Sequence, residues 1–183
     1  MGILQEERIL ITTFDTWQPH QVSNASDDLL LRLEDQKALP EGCRVLHRLP
    51  VCTETAYALI EAELGQASLD YVICCGVAES RYLLNLEAQA HREQEVLQTP
   101  IALTELCSTR RELRRTEISY DAGQFVCNEI YYVLLWRFWA IAKQITSGPL
   151  PNPTLHHCLS MCPPSLLRIK WTWFKIFKQF LGD

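Results

Sequence analysis

The sequence lacks the features of exported, membrane-spanning and nucleic-acid-binding proteins. Residues 1–7 contain neither a basic segment nor an apolar segment, so we expect no signal peptide there. No stretch approaches the roughly 18 consecutive apolar residues of a membrane-spanning helix. Basic residues are outnumbered by acidic ones, 17 to 22, whereas nucleic-acid binders usually carry a basic face that neutralises phosphates. We therefore expect a soluble cytoplasmic protein with no nucleic-acid partner and no membrane span.

The chain also lacks internal repeats and low-complexity segments, although it contains eight cysteines. In a protein that is not exported, these thiols stay reduced. Cys74 and Cys75 lie inside an apolar run, where cysteine behaves as a small hydrophobic residue. A chain of 183 residues, 48% of them hydrophobic, can build one core, so we expect a single domain over 1–183.

Short apolar segments alternate with amphipathic ones over most of the chain. Asn24 or Ser26 caps the first predicted helix, and Gly65 ends the second. The interval 93–115 is polar, and its charge run at 110–115 is interpreted as a solvated face. Apolar strands separated by helices predict a three-layer α/β/α sandwich around a mostly parallel sheet. The predicted strands are 8–14, 43–49, 70–75, 82–90 and 117–120, and the predicted helices are 24–33, 53–64 and 124–145.

The last 36 residues have a different pattern. A loop rich in proline is predicted at 147–153 and a strand at 155–162. Apolar residues at helical spacing over 165–181, with lysines between them, favour a helix packed on the sheet. The alternative for 166–181 is a basic amphipathic helix on a membrane surface.

Cys127 occupies the most informative position in the chain. A strand, a glycine turn and a helix follow one another over 119–132, which places Cys127 in the first turn of the helix. The amides and the positive dipole end at that position favour a thiolate. A nucleophilic thiolate also needs an imidazole and a group that orients it. A buried, inert cysteine is the alternative interpretation.

Three motifs occur in an order that matches one known family. Asp121-Ala-Gly-Gln-Phe-Val-Cys127-Asn resembles the Thr-Ala-Gly-Thr-Tyr/Phe-Val-Cys-Asn motif of pyroglutamyl peptidase I, cysteine peptidases of family C15. Residues 9–17, followed by Asn24, are similar to the opening Val-Thr-Gly-Phe-Glu-Pro-Phe of the family and its later Asn. Residues 75–81, with Glu87 six residues further on, are similar to Val-Gly-Gln-Ala-Gly-Gly-Arg and its Glu. The resemblance covers about residues 8–132.

The resemblance implies a phosphorylase/hydrolase-like fold and an enzyme that removes N-terminal pyroglutamate from peptides. It assigns Cys127 as the nucleophile and Glu87 as the acid that orients the catalytic histidine. It also implies that Phe14, Trp17 and Phe125 line an apolar slot for the flat pyrrolidone ring. The family needs no cofactor or metal, and its members form homo-oligomers.

The sequence departs from the family where the catalytic histidine is expected. The family has His-Val-Pro in a strand after the long helix, and this chain has Ser160-Met-Cys-Pro163. His157 is the candidate imidazole. If Ser160 is encoded by TCC or AGC and Cys162 by TGC, the shifted frame reads His-Val-Pro. We therefore hypothesise a frameshift between about residues 148 and 159, which makes 148–183 atypical.

The sequence departs from the family at two further places and leaves two alternative functions open. Val77 replaces a family Gln, and Glu79-Ser80 replace Gly-Gly, so one wall of the slot differs. A catalytically silent family member, retained as a binding or vestigial protein, is the alternative to a peptidase. A zinc site is disfavoured because adjacent ligands on a strand point to opposite faces; its ligands would be His156, His157, Cys158 and Cys162.

Overall fold

The computed structural model describes residues 8–66, 69–110, 113, 115–147 and 170–176, with only secondary structure and strand pairing for 141–147 and 170–176. The strands are Ile9–Phe14 (β1), Cys43–Leu49 (β2), Tyr71–Val77 (β3), Leu84–Glu87 (β4), Gln89–Arg92 (β5), Glu95–Gln98 (β6), Thr116–Ser119 (β7) and Lys170–Ile176 (β8). The helices are Ala25–Asp35 (α1), Thr53–Gln66 (α2), Leu103–Thr109 (α3) and Val126–Ser147 (α4).

Six strands form one sheet in the order β2-β1-β3-β8-β4-β7. The pairs are parallel except β4 with β8, which is antiparallel. β5 and β6 form a separate antiparallel hairpin. The prediction of a mostly parallel mixed sheet is therefore confirmed.

Alternate residues of the inner strands face two different helical layers. On β1, Leu10 packs in the cluster that contains residues of α2 and α4, whereas Ile11 packs with Leu30 of α1. On β3, Cys74 faces the α2/α4 side and Cys75 the α1 side. This alternation follows from the two-residue period of a strand. It confirms the predicted three-layer α/β/α arrangement.

The local signals that begin α1 act as predicted. Asn24 is the N-cap, and its side-chain oxygen accepts a hydrogen bond from the backbone N–H of Ser26. Asp27 and Asp28 lie in the first turn, where negative charge is favourable for the helix dipole. α2 continues to Gln66, so the prediction that Gly65 ends it is wrong; glycine permits a helix stop without imposing one.

The predicted helix over 165–181 is wrong where the structure describes it. Residues 170–176 form β8, which lies between β3 and β4 in the middle of the sheet. The same residues therefore do not form the membrane-surface helix. Their sequence, Lys-Trp-Thr-Trp-Phe-Lys-Ile, is rich in aromatic and β-branched residues, which suit a strand that pairs on both edges.

The polar interval 93–115 contains more structure than its composition indicates. β6 and α3 lie within it, and the turn between β5 and β6 has Glu93 at a φ of 54°. A hairpin turn normally shows this conformation through Gly, Asn or Asp, and this one has none of them. Arg110 and Arg115 of the charge run are exposed, as expected for a solvated face.

Some predictions fall outside the described residues. They are the loop at 147–153 beyond its first residue, the strand at 155–162, the zinc ligands and the frameshift between 148 and 159. The single domain over 1–183 stays a prediction. Among the helices that the structure describes, none has both the length and the apolar character needed to cross a membrane.

Candidate active site

A small cleft opens at the carboxyl ends of β1 and β3. In the sheet, β2 lies on one side of β1 and β3 on the other. The chain therefore continues from β1 to one side and later returns to the opposite side, so the direction of the strand order reverses next to β1. Open α/β sheets bind ligands at such points. The residues that line the cleft are Phe14, Trp17, Asn24, Val51, Gly76, Val77, Phe125, Val126 and Cys127.

A tight turn delivers Cys127 to this cleft. Gly123 has a φ of 73°, and its N–H donates to Oδ1 of Asp121 at 2.9 Å, which fixes the bend after β7. α4 then begins at Val126, and the carbonyl of Phe125 accepts the N–H of Asn128 at 2.9 Å. Cys127 therefore lies in the first turn of a helix, as predicted, and is partly exposed.

The surroundings distinguish Cys127 from the other described cysteines. Cys74 and Cys75 are buried, and burial raises the pKa of Cys74 to about 12 and that of Cys75 further still. Thiols with such pKa values stay protonated and unreactive at neutral pH. Of the six cysteines that the structure describes, Cys127 is the one that lines the cleft.

Glu87 is buried at the end of β4. Hydrogen bonds connect it to residues that precede and follow Cys127 in the sequence. Arg81 Nη1 donates to Glu87 Oε1 at 3.2 Å, and Arg81 Nη2 donates to the carbonyl of Asp121 at 2.6 Å. The hydroxyl of Tyr131 donates to the backbone carbonyl of Glu87 at 2.9 Å. Because Tyr131 follows Cys127 by four residues on α4, both lie on one helix face.

The three predicted aromatic residues lie together on the cleft. Phe14 is buried at the end of β1, whereas Phe125 is 58% exposed. The ring centroids of Trp17 and Phe125 are 6.2 Å apart at an interplanar angle of 49°, within the range of favourable aromatic pairs. The cleft thus combines a partly exposed thiol with aromatic walls.

The predicted histidine, His157, lies outside the described residues. β8 lies beside Glu87 in the sheet, with Trp173 opposite Glu87 in the register, and β8 contains no histidine. The three described histidines have other partners. His20 contacts Glu79, His47 contacts Asp27 and Glu34, and His91 contacts the carbonyl of Tyr120. Among the described residues, no group of three or more His, Cys, Asp or Glu has the arrangement of a metal site.

Sequence reasoning missed several residues of the cleft wall. Asn24 had a recognisable signal as a helix cap and as a match to the later Asn of the family, but neither signal placed it on the cleft. Val51, Gly76 and Val126 carry no chemistry of their own, and only the folded backbone brings them to this position.

Comparison with known proteins gives a consistent result. No family model matches the chain. The pyrrolidone-carboxylate peptidase of Bacillus licheniformis is 25% identical in sequence, and the match covers 81% of this chain and 79% of that protein. The crystal structure of pyroglutamyl peptidase I from Bacillus amyloliquefaciens superposes with a TM-score of 0.65 at 18% identity, covering 98% and 85% of the two chains. Pyrrolidone carboxyl peptidase from Fervidobacterium islandicum gives a TM-score of 0.63 at 16% identity, covering 94% and 81%.

The fold and the site define an α/β/α protein with a cysteine at a helix start beside an aromatic cleft. The solved structures share this fold, and the curated relative adds similarity in sequence. The chain therefore has the fold of the solved pyroglutamyl peptidase I structures, and its sequence is similar to that of a pyrrolidone-carboxylate peptidase.

Proposed function

We propose that this protein removes N-terminal pyroglutamate from peptides. The observation that carries the proposal is that Cys127, Phe14, Trp17 and Phe125 line the same cleft. The curated relative from Bacillus licheniformis is a pyrrolidone-carboxylate peptidase, which supports the same activity.

The chemistry of the cleft suits a pyroglutamyl group. Apart from Cys127, none of its lining residues is ionisable. A peptide with an ordinary charged amino terminus would lose the hydration of its ammonium group there and gain no carboxylate partner, which costs several kcal/mol. The lactam of pyroglutamate is uncharged and flat, so it can pack against the aromatic side chains and use backbone hydrogen bonds for its polar atoms.

In the proposed reaction, the thiolate of Cys127 attacks the carbonyl carbon that links pyroglutamate to the next residue. Backbone amides at the start of α4 stabilise the oxyanion of the tetrahedral intermediate. The carbon–nitrogen bond then breaks, the amine of the shortened peptide takes a proton, and a thioester to Cys127 remains. Attack of water on the thioester releases pyroglutamate and restores the thiol.

The proton must be carried by an imidazole, because the amine leaves poorly without one. We assign this role to His157 and the orienting role to Glu87. The burial of Glu87 and its links to Arg81, Asp121 and Tyr131 support the second assignment, because they hold the carboxylate near the start of α4.

We also propose a cytoplasmic location, and a homo-oligomeric state, which the resemblance to the family implies. The six described cysteines are free thiols, which fits a reducing compartment.

Hydrolysis of a fluorogenic pyroglutamyl-arylamide tests the function. We expect turnover by the full chain, and Cys127→Ala lowers kcat/KM by about 10³-fold or more because the nucleophile is removed. His157→Gln lowers kcat by about 10²-fold or more because the amine leaves unprotonated.

Two matched variants serve as controls. Cys107→Ala changes a partly buried cysteine outside the cleft, and His156→Gln changes the sequence neighbour of the proposed base. Both should retain kcat/KM within about twofold, as substitutions away from the reacting groups usually do. Absence of turnover by the unchanged chain, or full activity in Cys127→Ala, would contradict the proposal.

A further inference from the structure

The loop between β1 and α1, residues 15–24, carries Trp17 to the cleft and is held by a side chain of its own. Oε1 of Gln21 accepts the backbone N–H of Trp17 at 2.9 Å and that of Gln18 at 3.1 Å. The backbone N–H of Gln21 donates to the carbonyl of Gln18 at 3.0 Å. The Gln21 amide therefore closes the loop around the residue that forms one wall of the cleft.

The other end of the Gln21 amide reaches the opposite side of the cleft. Its Nε2 donates to Oε1 of Glu79 at 2.9 Å. Glu79 lies two residues after Val77, the last residue of β3, which lines the cleft together with Gly76. His20 Nε2 lies 3.4 Å from the same Glu79 oxygen. The contact thus joins the segment that carries Trp17 to the segment that carries Val77.

The charge of Glu79 determines which way the Gln21 amide faces. A carboxylate accepts hydrogen bonds and donates none, so it binds the NH₂ end of the amide. The oxygen of Gln21 must then face the N–H groups of Trp17 and Gln18. With the amide turned round, its NH₂ group would meet two backbone donors, and those hydrogen bonds would be lost.

We propose that Gln21 and Glu79 are positioning residues of the cleft that hold Trp17 against Phe125. The resemblance to the family has Gly at position 79, so this contact belongs to the chain's own sequence. The proposal rests on the proposed function only where substrate binding is the measurement. The position of Trp17 can be measured without any substrate.

The direct test follows the indole N–H resonance of Trp17 in a ¹H–¹⁵N spectrum of the full chain, assigned by its loss in Trp17→Phe. In Gln21→Ala and Glu79→Ala we expect this resonance to shift or broaden. Glu79→Gln retains an acceptor oxygen and should restore much of the native position. Glu79→Lys should perturb Trp17 more than Glu79→Ala, because an ammonium group attracts the Gln21 oxygen away from the Trp17 N–H.

Glu41→Ala provides the matched control, because Glu41 is an exposed glutamate in the turn before β2. Its spectrum should show an unchanged Trp17 resonance. An unchanged Trp17 resonance in both Gln21→Ala and Glu79→Ala would overturn the proposal.

Kinetics with the pyroglutamyl-arylamide provide the second measurement. A displaced wall weakens binding of the ground state and the transition state alike, so Gln21→Ala and Glu79→Ala should raise KM about three- to tenfold and leave kcat within about twofold. If the unchanged chain hydrolyses nothing, the proposed function fails while the spectra still decide the role of Gln21 and Glu79. If turnover is normal and KM is unchanged in both variants, this inference fails and the peptidase function stands.

Discussion

His47 of β2 lies between two carboxylates of α1. Its Nδ1 is 2.7 Å from Oδ1 of Asp27, and its Nε2 is 2.8 Å from Oε2 of Glu34. The hydroxyl of Thr13 also donates to Asp27 Oδ1, at 2.6 Å. Because both ring nitrogens face acceptors, the doubly protonated imidazolium satisfies both hydrogen bonds.

This geometry predicts a pH dependence of stability. Burial lowers the pKa of His47, but the hydrogen bonds to Asp27 and Glu34 outweigh that effect, so the pKa is raised above its ordinary value of 6.5. The stabilising contribution is therefore complete below the unfolded-state pKa and is lost as the pH rises through the higher folded-state pKa. We expect the free energy of unfolding in urea to exceed that of His47→Gln by more at pH 5.5 than at pH 9.

Glu34→Gln gives the control for the pH effect, since it replaces one of the two negative carboxylates by a neutral amide of similar size. In the Glu34→Gln background, the effect of His47→Gln on the free energy of unfolding should differ less between pH 5.5 and pH 9. A difference between the native protein and His47→Gln that is constant across this pH range would contradict the prediction.

At the scale of single residues, the sequence predicts side chains that belong to a contiguous motif and misses those that meet across space. Cys127 and Phe125 lie in one motif, and the structure places both on the cleft. Gln21 and Glu79 are 58 residues apart, and their contact depends on two loops that approach each other. No local sequence pattern predicts that the two loops approach each other.

At the scale of elements, one side chain joins the start of α4 to β5. Asn128 is buried next to Cys127, and its Oδ1 accepts the N–H of His91 at 2.9 Å. Its Nδ2 donates to the carbonyl of His91 at 2.6 Å. The amide thus satisfies both backbone polar groups of one strand residue.

Asn128→Ala should lower the free energy of unfolding by about 2–4 kcal/mol, because it leaves a backbone N–H and a carbonyl of β5 without these partners. Equilibrium unfolding in urea measures this change. Glu129→Ala is the matched comparison, since Glu129 also joins α4 to β5, through an exposed ion pair with Arg92 at 2.8 Å. That variant should lose less than about 1 kcal/mol. A larger loss in Glu129→Ala than in Asn128→Ala would contradict this account.

The elements that the sequence predicts well are those whose residues repeat a clear pattern. β1 and β3 are continuous apolar runs, and α1 has a cap with acidic residues after it. The β5–β6 hairpin has four residues in each strand and a turn without glycine, so it lacks such a pattern. The sequence predicts a helix at β8 because the apolar residues over 165–181 recur at helical spacing, whereas those within 170–176 do not alternate strictly as in a half-buried strand.

At the scale of the whole molecule, the sheet depends on a strand from late in the chain. β8 pairs with all seven residues of β3, Tyr71–Val77, and with Asn85, Leu86 and Glu87 of β4. Without it, two inner strands would each present an unpaired edge. In the order β2-β1-β3-β8-β4-β7, residues 170–176 are the strand that connects β3 to β4.

Removal of residues 170–183 should therefore abolish cooperative thermal unfolding. We expect the loss of the near-ultraviolet circular dichroism signal and binding of the dye ANS to exposed apolar surface, as in partly folded states. Removal of residues 177–183 alone leaves β8 whole and is the matched control. A truncated chain of residues 1–169 that melts cooperatively at the native temperature would contradict the prediction.

The central position of β8 also has a consequence for biosynthesis. While a ribosome is still translating the codons for residues 170–176, the nascent polypeptide already contains β3 and β4 but not the strand that joins them. Their open edges are then available to chaperones or to other nascent chains. A premature stop codon anywhere upstream of position 170 would remove this middle strand of the sheet, so quality control in the cell would receive an aggregation-prone fragment for degradation.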